Sequence, residues 1–238
     1  DHPHIAHFRP GPGIGGMIDY ATWNGSSWES EVVDSITLCN PSLALDSDDH
    51  SHIAYIDNSG KLIYAQSEGS NWTIDTVWSD TNCGDLSLVL DSADKPHISL
   101  WRYFNADLYY AYSNGSNWEI EVVDTTGYTG QYNALALVSS DHPHISYYQK
   151  LPQDELRYAH WNGSSWQVET VQQGGDLGAF TSLALDTEDH PHISYRGSSD
   201  YPLMYAYTDE LSVGSNLLLE RPGIIVAPNP FCDATAIS

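Results

Sequence analysis

One phrase recurs along the chain, and each copy carries a histidine followed by isoleucine. The five histidines are His4, His52, His97, His144 and His192. Successive copies are therefore 48, 45, 47 and 48 residues apart. Self-similarity at such a period is typical of repeat architectures, in which each repeat is one supersecondary unit stacked on its neighbours. This repeat constrains the fold more than any other feature of the sequence.

Three further phrases recur between the histidines, always in the same order. One is a Tyr-Ala pair, one is a glycine turn that ends in tryptophan, and one is a short apolar run such as SLALD. Each phrase is short, alternates apolar and polar residues, and contains β-branched or aromatic side chains, which is typical of a strand. Asp-rich or Asn-Gly-Ser segments separate the phrases, as turns do.

Four short strands in a repeat of about 47 residues predict a β-propeller blade. The predicted fold class is all-β: a β-propeller, with five blades of four antiparallel strands, over residues 1–210. The chain begins at the second strand of the first repeat and ends the fifth repeat after its third strand. Residues 211–223 are therefore predicted to be a linker or a closing strand. The alternative is a repeat missing upstream of Asp1.

The charge balance excludes some partners. The chain has 32 acidic and 8 basic residues, for a formal net charge of -24. Such a protein repels nucleic acid and disfavours anionic membrane surfaces. No run of about 20 apolar residues occurs, so we predict no membrane span. The acidity permits cation binding and fits a secreted or cell-surface protein.

The repeated histidines raise the question of a metal-binding ring. Side chains alternate along a strand, so each histidine shares a face with the residue two positions on, and both faces of a blade pack against neighbours. Equivalent histidines would also be spread around the ring, whereas a metal needs nitrogens about 2.0–2.1 Å from one centre. We therefore predict a structural role, half-buried and hydrogen-bonded between blades.

Two acidic loops offer the hard oxygen ligands that calcium prefers. The candidate ligands are Asp46, Asp48, Asp49, Asp186, Glu188 and Asp189. Neither loop has the glycine and terminal glutamate of an EF-hand. The alternative is a solvated turn without a metal.

Several aromatic residues differ from repeat to repeat and are candidates for stacking on sugar rings. They are Trp23, Trp101, Tyr103, Tyr128, Tyr132, Tyr148 and Trp161. Exposed aromatics beside carboxylates and amides suit a glycan site, but aromatics also pack ordinarily in cores. The tryptophans that end the glycine turns are expected to fill each blade.

Two other residue sets have structural alternatives. The chain contains four Asn-X-Ser/Thr sequons, at Asn24, Asn71, Asn114 and Asn162. Each lies in or beside the turn before a tryptophan, so turn chemistry explains them as well as glycosylation does. A disulfide between Cys39 and Cys83 is disfavoured, because equivalent points on neighbouring repeats are usually more than about 7 Å apart.

The repeat also carries a resemblance. The phrases SLALD, HPHISYY and LRYAHWNGSSWQVETV resemble the tandem propeller repeats of secreted bacterial and archaeal surface proteins, over residues 1–208. The NGSSW turn is loosely similar to the Asp-box of sialidase-type propellers, but the aspartate and spacing differ, so no sialidase activity is implied.

The C-terminal segment carries a second resemblance. Residues 224–238, IIVAPNPFCDATAIS, resemble the opening of the sorting domains used in bacterial type IX secretion, which begin with an apolar strand and a Pro-Asn-Pro-Phe turn. The resemblance implies export, followed by surface attachment or release.

Three functions remain open from the sequence. The chain has no nucleophile elbow, phosphate loop or zinc-ligand spacing. The first hypothesis is a non-enzymatic propeller that binds an extracellular glycan or a surface protein. The second is a structural subunit that self-assembles into a layer or fibre through exposed strand edges. The third is a polysaccharide-active enzyme, because a fold does not settle function.

Overall fold

The structure, a computed structural model, describes residues 2–12, 15–37, 41–69, 71–79, 82–198 and 202–208. Within these residues it contains eighteen strands in five antiparallel sheets. The chain divides into two compact units, Asp1–Thr126 and Gly127–Ser238. The first three sheets belong to unit 1 and the last two to unit 2.

Unit 1 contains one three-stranded and two four-stranded sheets. The first sheet consists of β1 (His4–Pro10), β2 (Gly16–Trp23) and β3 (Trp28–Thr37). The second consists of β4 (Ser42–Leu45), β5 (Ser51–Ile56), β6 (Leu62–Glu68) and β7 (Asn71–Trp78). The third consists of β8 (Cys83–Leu90), β9 (Pro96–Arg102), β10 (Asp107–Ser113) and β11 (Trp118–Asp124).

Unit 2 contains one four-stranded and one three-stranded sheet. The fourth sheet consists of β12 (Tyr128–Leu137), β13 (Pro143–Leu151), β14 (Glu155–Trp161) and β15 (Trp166–Gln173). The fifth consists of β16 (Ser182–Leu185), β17 (Pro191–Arg196) and β18 (Leu203–Tyr207).

Each recurring phrase forms the strand predicted for it. The apolar run is the first strand of a sheet, the histidine phrase the second, the Tyr-Ala pair the third, and the tryptophan phrase the fourth. Consecutive strands pair in chain order in every sheet. In the described residues the first sheet lacks the first strand and the fifth sheet lacks the fourth, as the repeat phase predicted.

The second strand of each four-stranded sheet is buried on both faces. Ile98 on one face and Ser99 on the other are both inaccessible to solvent, as are Ile145 and Ser146. In unit 1, Ala54 and Leu62 of the second sheet share an apolar cluster with Leu88 of the third. Adjacent sheets within this unit therefore bury their faces against each other.

The tryptophan at or next to the start of the fourth strand packs on the preceding sheet. Trp72 meets Tyr20 edge-on at 5.3 Å between ring centroids, and Trp118 meets Tyr64 in the same way at 5.3 Å. Edge-to-face pairs of this kind are a favoured aromatic geometry. The recurring Tyr-Ala and tryptophan phrases thus provide the two halves of one contact between sheets.

Some predictions fall outside the described residues. These are the linker at 211–223, the sorting-type segment at 224–238, and Cys39 of the Cys39–Cys83 pair. In the part of the chain that the structure describes, no helix has the length and apolarity that a membrane crossing requires.

Candidate functional site

Antiparallel pairing gives each sheet two distinct ends. We call one the turn end; it holds the turns between strands one and two and between strands three and four. The other, the hairpin end, holds the hairpin between strands two and three and the loop that leads to the next sheet. The turn-end sequences repeat closely, whereas the hairpin-end sequences differ from sheet to sheet.

The repeated histidines lie near the turn end in a network that recurs. In the third sheet, the His97 Nδ1 atom bonds the Tyr110 hydroxyl, and its Nε2 atom lies 3.4 Å from an Asp91 carboxylate oxygen. A neutral ring that donates from Nε2 to Asp91 accepts the Tyr110 O–H at Nδ1. The second and fifth sheets repeat this network with His52 and His192.

The histidines are hydrogen-bonded as predicted, but two details differ. His52, His97 and His144 are buried rather than half-buried. We expected hydrogen bonds between blades, whereas Asp91, His97 and Tyr110 all belong to one sheet. The tyrosine of β10 is a diagonal neighbour of the histidine on β9, because Ser99 is its direct partner. A diagonal neighbour is within reach of a long side chain, so the sheet satisfies its own histidine.

The acidic loops are tight turns whose carboxylates bond the chain itself. The Asp46 carboxylate accepts the backbone N–H groups of Asp48 and His50 at 3.0 and 2.7 Å, and contacts the His52 ring. Burial raises the pKa of Asp46, but the hydrogen bonds from His50, His52 and Asp48 outweigh it and hold that pKa at about 2. Asp186 has the same arrangement with Glu188 and His190.

The aspartate three positions after the first aspartate of such a turn links neighbouring sheets. The Asp94 carboxylate accepts both the backbone N–H and the hydroxyl of Ser47, at 3.0 and 2.6 Å. In unit 2, Asp189 holds Ser139 in the same way, at 2.9 and 2.6 Å. The described residues contain no group of three or more His, Cys, Asp or Glu side chains arranged to hold a metal ion. Calcium binding at these loops stays a prediction.

The fourth sheet has the same turn without its aspartate, and this leads to a prediction. Val138 stands where the other turns have Asp46, Asp91 or Asp186, and its N–H bonds the His142 carbonyl at 3.1 Å. Val138→Asp is therefore expected to raise the free energy of unfolding by about 1–2 kcal/mol, because the new carboxylate meets two backbone N–H groups and the His144 ring. Denaturant unfolding at pH 7 measures the change.

Val138→Asn is the matched control for this substitution. Asparagine offers the same oxygen to the backbone but no charge to His144, so it should give a smaller gain. If the aspartate variant proves no more stable than the asparagine variant, the charge contributes nothing to the turn.

Two of the predicted sugar-binding aromatics lie at the turn end and have a packing role. Trp23 is the direct cross-strand partner of Trp28 and meets its ring at 5.7 Å, and Trp161 is paired in the same way with Trp166 at 5.8 Å. These pairs close the glycine hairpins. The same cross-strand contact with the tryptophan that ends the glycine turn explains why Trp23 and Trp161 occupy the same position in their repeats.

The sequon asparagines of those hairpins shape the turns. In the first sheet, the Asn24 side-chain oxygen accepts the N–H groups of Ser26 and Ser27, both at 2.9 Å. Asn114 and Asn162 do the same in their own hairpins. Asn71 instead begins β7 and is exposed. All four side chains are at the surface, and glycosylation stays a prediction.

The hairpin end of unit 2 gathers three aromatic rings around an arginine. Phe180 is 60% exposed and lies 4.3 Å from the Tyr132 ring, which in turn lies 6.0 Å from that of Tyr148. The Arg196 guanidinium sits 5.5 Å from the Phe180 centroid and donates to Asp176 at 2.7 Å. We call these five residues the Phe180 cluster.

The backbone fixes the Phe180 cluster in place. Phe180 and Tyr132 both have positive φ, at 56° and 51°, a conformation that is costly for aromatic residues. Thr181 donates from its hydroxyl to the Tyr132 carbonyl at 2.7 Å. At Gly178, with φ of 96°, a Cβ would lie 2.7 Å from the backbone nitrogen of Leu156, so only glycine fits. These contacts define the backbone conformation that carries the exposed ring.

Tyr148 anchors the buried side of the cluster. Its hydroxyl donates to Asp154, which also accepts the Asp176 N–H at 3.1 Å. Burial and the Asp154 carboxylate both raise the pKa of Tyr148, so the hydroxyl keeps its proton. Tyr128, another predicted residue, is exposed at the start of β12, where Leu151 is its cross-strand partner.

The hairpin end of the third sheet, in unit 1, gathers a second set of aromatics. Trp101 is buried and meets the Tyr103 ring edge-on at 5.5 Å. The Arg102 guanidinium lies 5.3 Å from the Trp78 ring and 5.8 Å from that of Phe104, which is 79% exposed. We call these five residues the Trp101 cluster.

The structure thus separates the seven predicted aromatics and adds residues that the sequence did not single out. Trp101 joins Tyr103, and Tyr132 joins Tyr148, while Trp23 and Trp161 lie at the opposite end of their sheets. Phe104, Phe180, Arg102 and Arg196 were missed. One signal was present: both arginines directly end a histidine phrase, in a chain with only 8 basic residues.

No protein-family model matches the chain, and no curated protein matches it in sequence. Solved structures do match. An ulvan lyase bound to GlcA(1-4)Rha3S units has a TM-score of 0.60 at 12% identity, over 87% of this chain and 63% of that one. AofleA from Arthrobotrys oligospora has a TM-score of 0.63 at 11% identity, over 87% and 65% of the two chains. The fold is that of a β-propeller.

The leech intramolecular trans-sialidase, complexed with 2,7-anhydro-Neu5Ac, is a further match. Its TM-score is 0.50 at 13% identity, and the match covers 81% of this chain and 36% of the enzyme. At such identities the likeness extends to the fold alone. This β-propeller chain spans less than two thirds of each of these three proteins.

Proposed function

We propose that the protein is a non-enzymatic β-propeller that binds a carbohydrate through the Phe180 cluster. The observation that carries the proposal is the exposed Phe180 ring, which contacts the Tyr132 ring and lies 5.5 Å from the Arg196 guanidinium. An apolar ring offers a platform for the C–H face of a sugar, and the Arg196–Asp176 pair offers donors and acceptors for its hydroxyl groups. Sites of this composition bind small ligands through few polar groups on an apolar surface.

Two further facts support a carbohydrate as the ligand. The ulvan lyase and the trans-sialidase that share the fold are both described with a saccharide bound. In addition, Arg196 is neutralised by Asp176, so the cluster presents hydrogen-bonding groups without a net positive charge. A neutral or weakly charged glycan fits this balance in a protein of net charge -24.

The test is a glycan-array screen of the purified protein, with and without calcium, on wild type and Phe180→Ala. Loss of the ring is expected to weaken binding about tenfold, because an exposed aromatic anchor provides much of the contact. Ile74→Ala is the control, since it truncates an exposed apolar side chain on β7, away from the clusters.

The outcomes separate the hypotheses. Equal binding by Phe180→Ala and wild type would place the glycan elsewhere. No binding by wild type, together with concentration-dependent association, would favour the structural subunit. Release of new reducing ends from a bound polysaccharide would favour the enzyme. If glycan binding required calcium, this would indicate that the carboxylates of the acidic turns bind the ion.

We also propose that the protein is exported and works at the cell surface or outside the cell. The support is the resemblance of the repeats and of residues 224–238 to exported proteins, together with the acidic composition. Fractionation of the native host, with detection in the medium and on the cell surface, tests this; recovery only in the cytoplasm would contradict it.

A further inference from the structure

The indole N–H of Trp101 is a buried donor without a partner. Trp101 is 7% exposed, and its Nε1 atom is shielded from solvent with no hydrogen-bond partner among the described residues. Leaving such a donor unpaired destabilises the folded protein, and native structures retain few groups of this kind. A donor that persists in this state calls for an acceptor from outside the chain.

Packing alone does not require an indole here. The equivalent position of the second sheet holds Ile56, which is equally buried and has no polar side-chain atom. Both residues follow the histidine of their repeat by four positions and lie near the end of the second strand. Packing of the sheet therefore does not fix the residue at this position, which is Tyr148 in the fourth sheet and Arg196 in the fifth, and the N–H group is an addition.

The neighbouring strand is adapted to the width of the indole. A Cβ on Gly84 of β8 would lie 2.5 Å from Cε3 and 3.0 Å from Cζ3 of Trp101. Any larger residue would therefore push the ring away. Because these carbons belong to the six-membered ring, the Nε1 atom lies on the edge of the indole that faces away from Gly84.

Two exposed aromatic residues closely follow Trp101 in the chain. Tyr103 is 63% exposed and contacts the Trp101 ring with its edge, and the following residue, Phe104, is still more exposed. Arg102 lies between Phe104 and Trp78. Two adjacent exposed rings beside a buried N–H match the two sides of a sugar, which combines a C–H face with oxygen acceptors.

Acceptor groups for the sugar hydroxyls belong to the same end of the third sheet. Asp107 is the cross-strand partner of Arg102, and Asp124 shares a cross-strand row with Leu108 and Trp101. Both carboxyl groups are buried. Burial and the charge of Asp124 raise the pKa of Asp107. Arg102 balances one of these carboxyl groups, and the Asp124 carboxyl in the Trp101 row disfavours an anionic ligand, which points to a neutral one.

We propose that Trp101, Tyr103 and Phe104 form a second carbohydrate site, in unit 1, which takes a neutral sugar whose oxygen accepts the Trp101 Nε1–H. Because this atom is closed to solvent, the exposed Tyr103 ring has to turn aside to admit the sugar. This inference rests on the proposed function for its ligand class, but its residues are separate from those of the Phe180 cluster. One chain then carries two non-identical sites, so a single molecule can bind two sugars at once.

The test follows the Trp101 indole resonance directly. Wild type, Trp101→Phe and Phe180→Ala are titrated by 1H-15N NMR with methyl glycosides of glucose, galactose, mannose and fucose, and with glucuronic and N-acetylneuraminic acid as anionic probes. A neutral glycoside should shift the Trp101 N–H resonance, which is identified by its absence in Trp101→Phe. Trp101→Phe should weaken this binding about five- to tenfold, since the donor is lost together with the five-membered ring.

Sugar binding distinguishes a ligand from a trapped water. Trp101→Phe removes the donor and leaves a small cavity where the five-membered ring lay, so some loss of stability is expected in either case. If a buried water already satisfies the N–H, the variant will bind sugar as wild type does, and the proposal fails. A shift caused only by the anionic probes would overturn the ligand class.

Failure of this inference is distinguishable from failure of the proposed function. Sugar binding that Phe180→Ala weakens and Trp101→Phe leaves unchanged would remove the second site and keep the first. Binding by wild type to none of the glycosides and to no array glycan would overturn both.

Discussion

Ile98→Ala is expected to lower the free energy of unfolding by about 3–4 kcal/mol. Ile98 belongs to the histidine phrase of the third sheet, is 0% exposed, and sits in a cluster with Leu88 and Leu100. Truncation removes buried methyl groups and leaves a cavity that close-packed neighbours fill only partly. Urea unfolding of wild type and variant at pH 7 measures the difference.

The repeat supplies a matched control, Ile5→Ala. Ile5 holds the same place in the phrase of the first sheet but is 45% exposed in the described structure. Its truncation should cost less than about 1 kcal/mol, because little apolar surface is lost. A cost close to that of Ile98→Ala would mean that Ile5 is covered in the full chain. A small cost for Ile98→Ala itself would contradict the buried second strand.

Acid is expected to destabilise the protein through His144, by about 3 kcal/mol between pH 6.5 and pH 4. Burial, and next the neighbouring His160, lower the pKa of His144 to about 4. An unfolded histidine has a pKa of about 6.5, so between these values the unfolded chain binds a proton that the folded protein rejects. Stability is therefore complete above pH 6.5 and falls as the pH drops toward 4.

The measurement is the free energy of unfolding at intervals between pH 4 and 7, for wild type and His144→Gln. Glutamine keeps a polar contact for Tyr158 but does not titrate, so the variant should lose less stability across this range. His52 also has a lowered pKa because of burial, and it contributes the same slope to both proteins. Equal slopes would contradict the assignment to His144.

The repeat predicted the fold well because three separate signals in it agree with one another. Each phrase has strand periodicity, each separator has turn chemistry, and the spacing sets four strands per sheet. These agree at every copy, so the eighteen described strands follow the phrases, and the incomplete first and last sheets follow the phase of the repeat. Local and global signals that agree in this way are typical of a well-specified fold.

The partner of each histidine was harder to predict. A residue such as His97 looks from the sequence as though it faces the next sheet, because both faces of its strand are buried. Its real partner, Tyr110, lies diagonally across one hairpin, and only the register shows this. Strand register depends on hairpin length, and these hairpins differ in length from sheet to sheet.

The candidate site could be predicted only in part, because it lies where the repeat stops repeating. Aromatic content pointed to Trp101, Tyr103, Tyr132 and Tyr148, yet the same rule also selected Trp23 and Trp161, which close hairpins at the other end. Phe180 was missed because its exposure depends on the path of the loop after β15, which no period predicts. Positions that repeat from sheet to sheet therefore predict the strands and turns. Positions that differ from sheet to sheet indicate where the candidate site lies.

The link from Ser47 to Asp94, repeated from Ser139 to Asp189, has a consequence for how such a chain grows. Each loop carries a donor for the copy that follows and an acceptor for the copy that precedes. A duplicated copy therefore already contains both the serine and the aspartate of these hydrogen bonds, so no new mutation is needed to link it to its neighbours. Gene duplication alone could lengthen or shorten the array while the hairpin ends diverge.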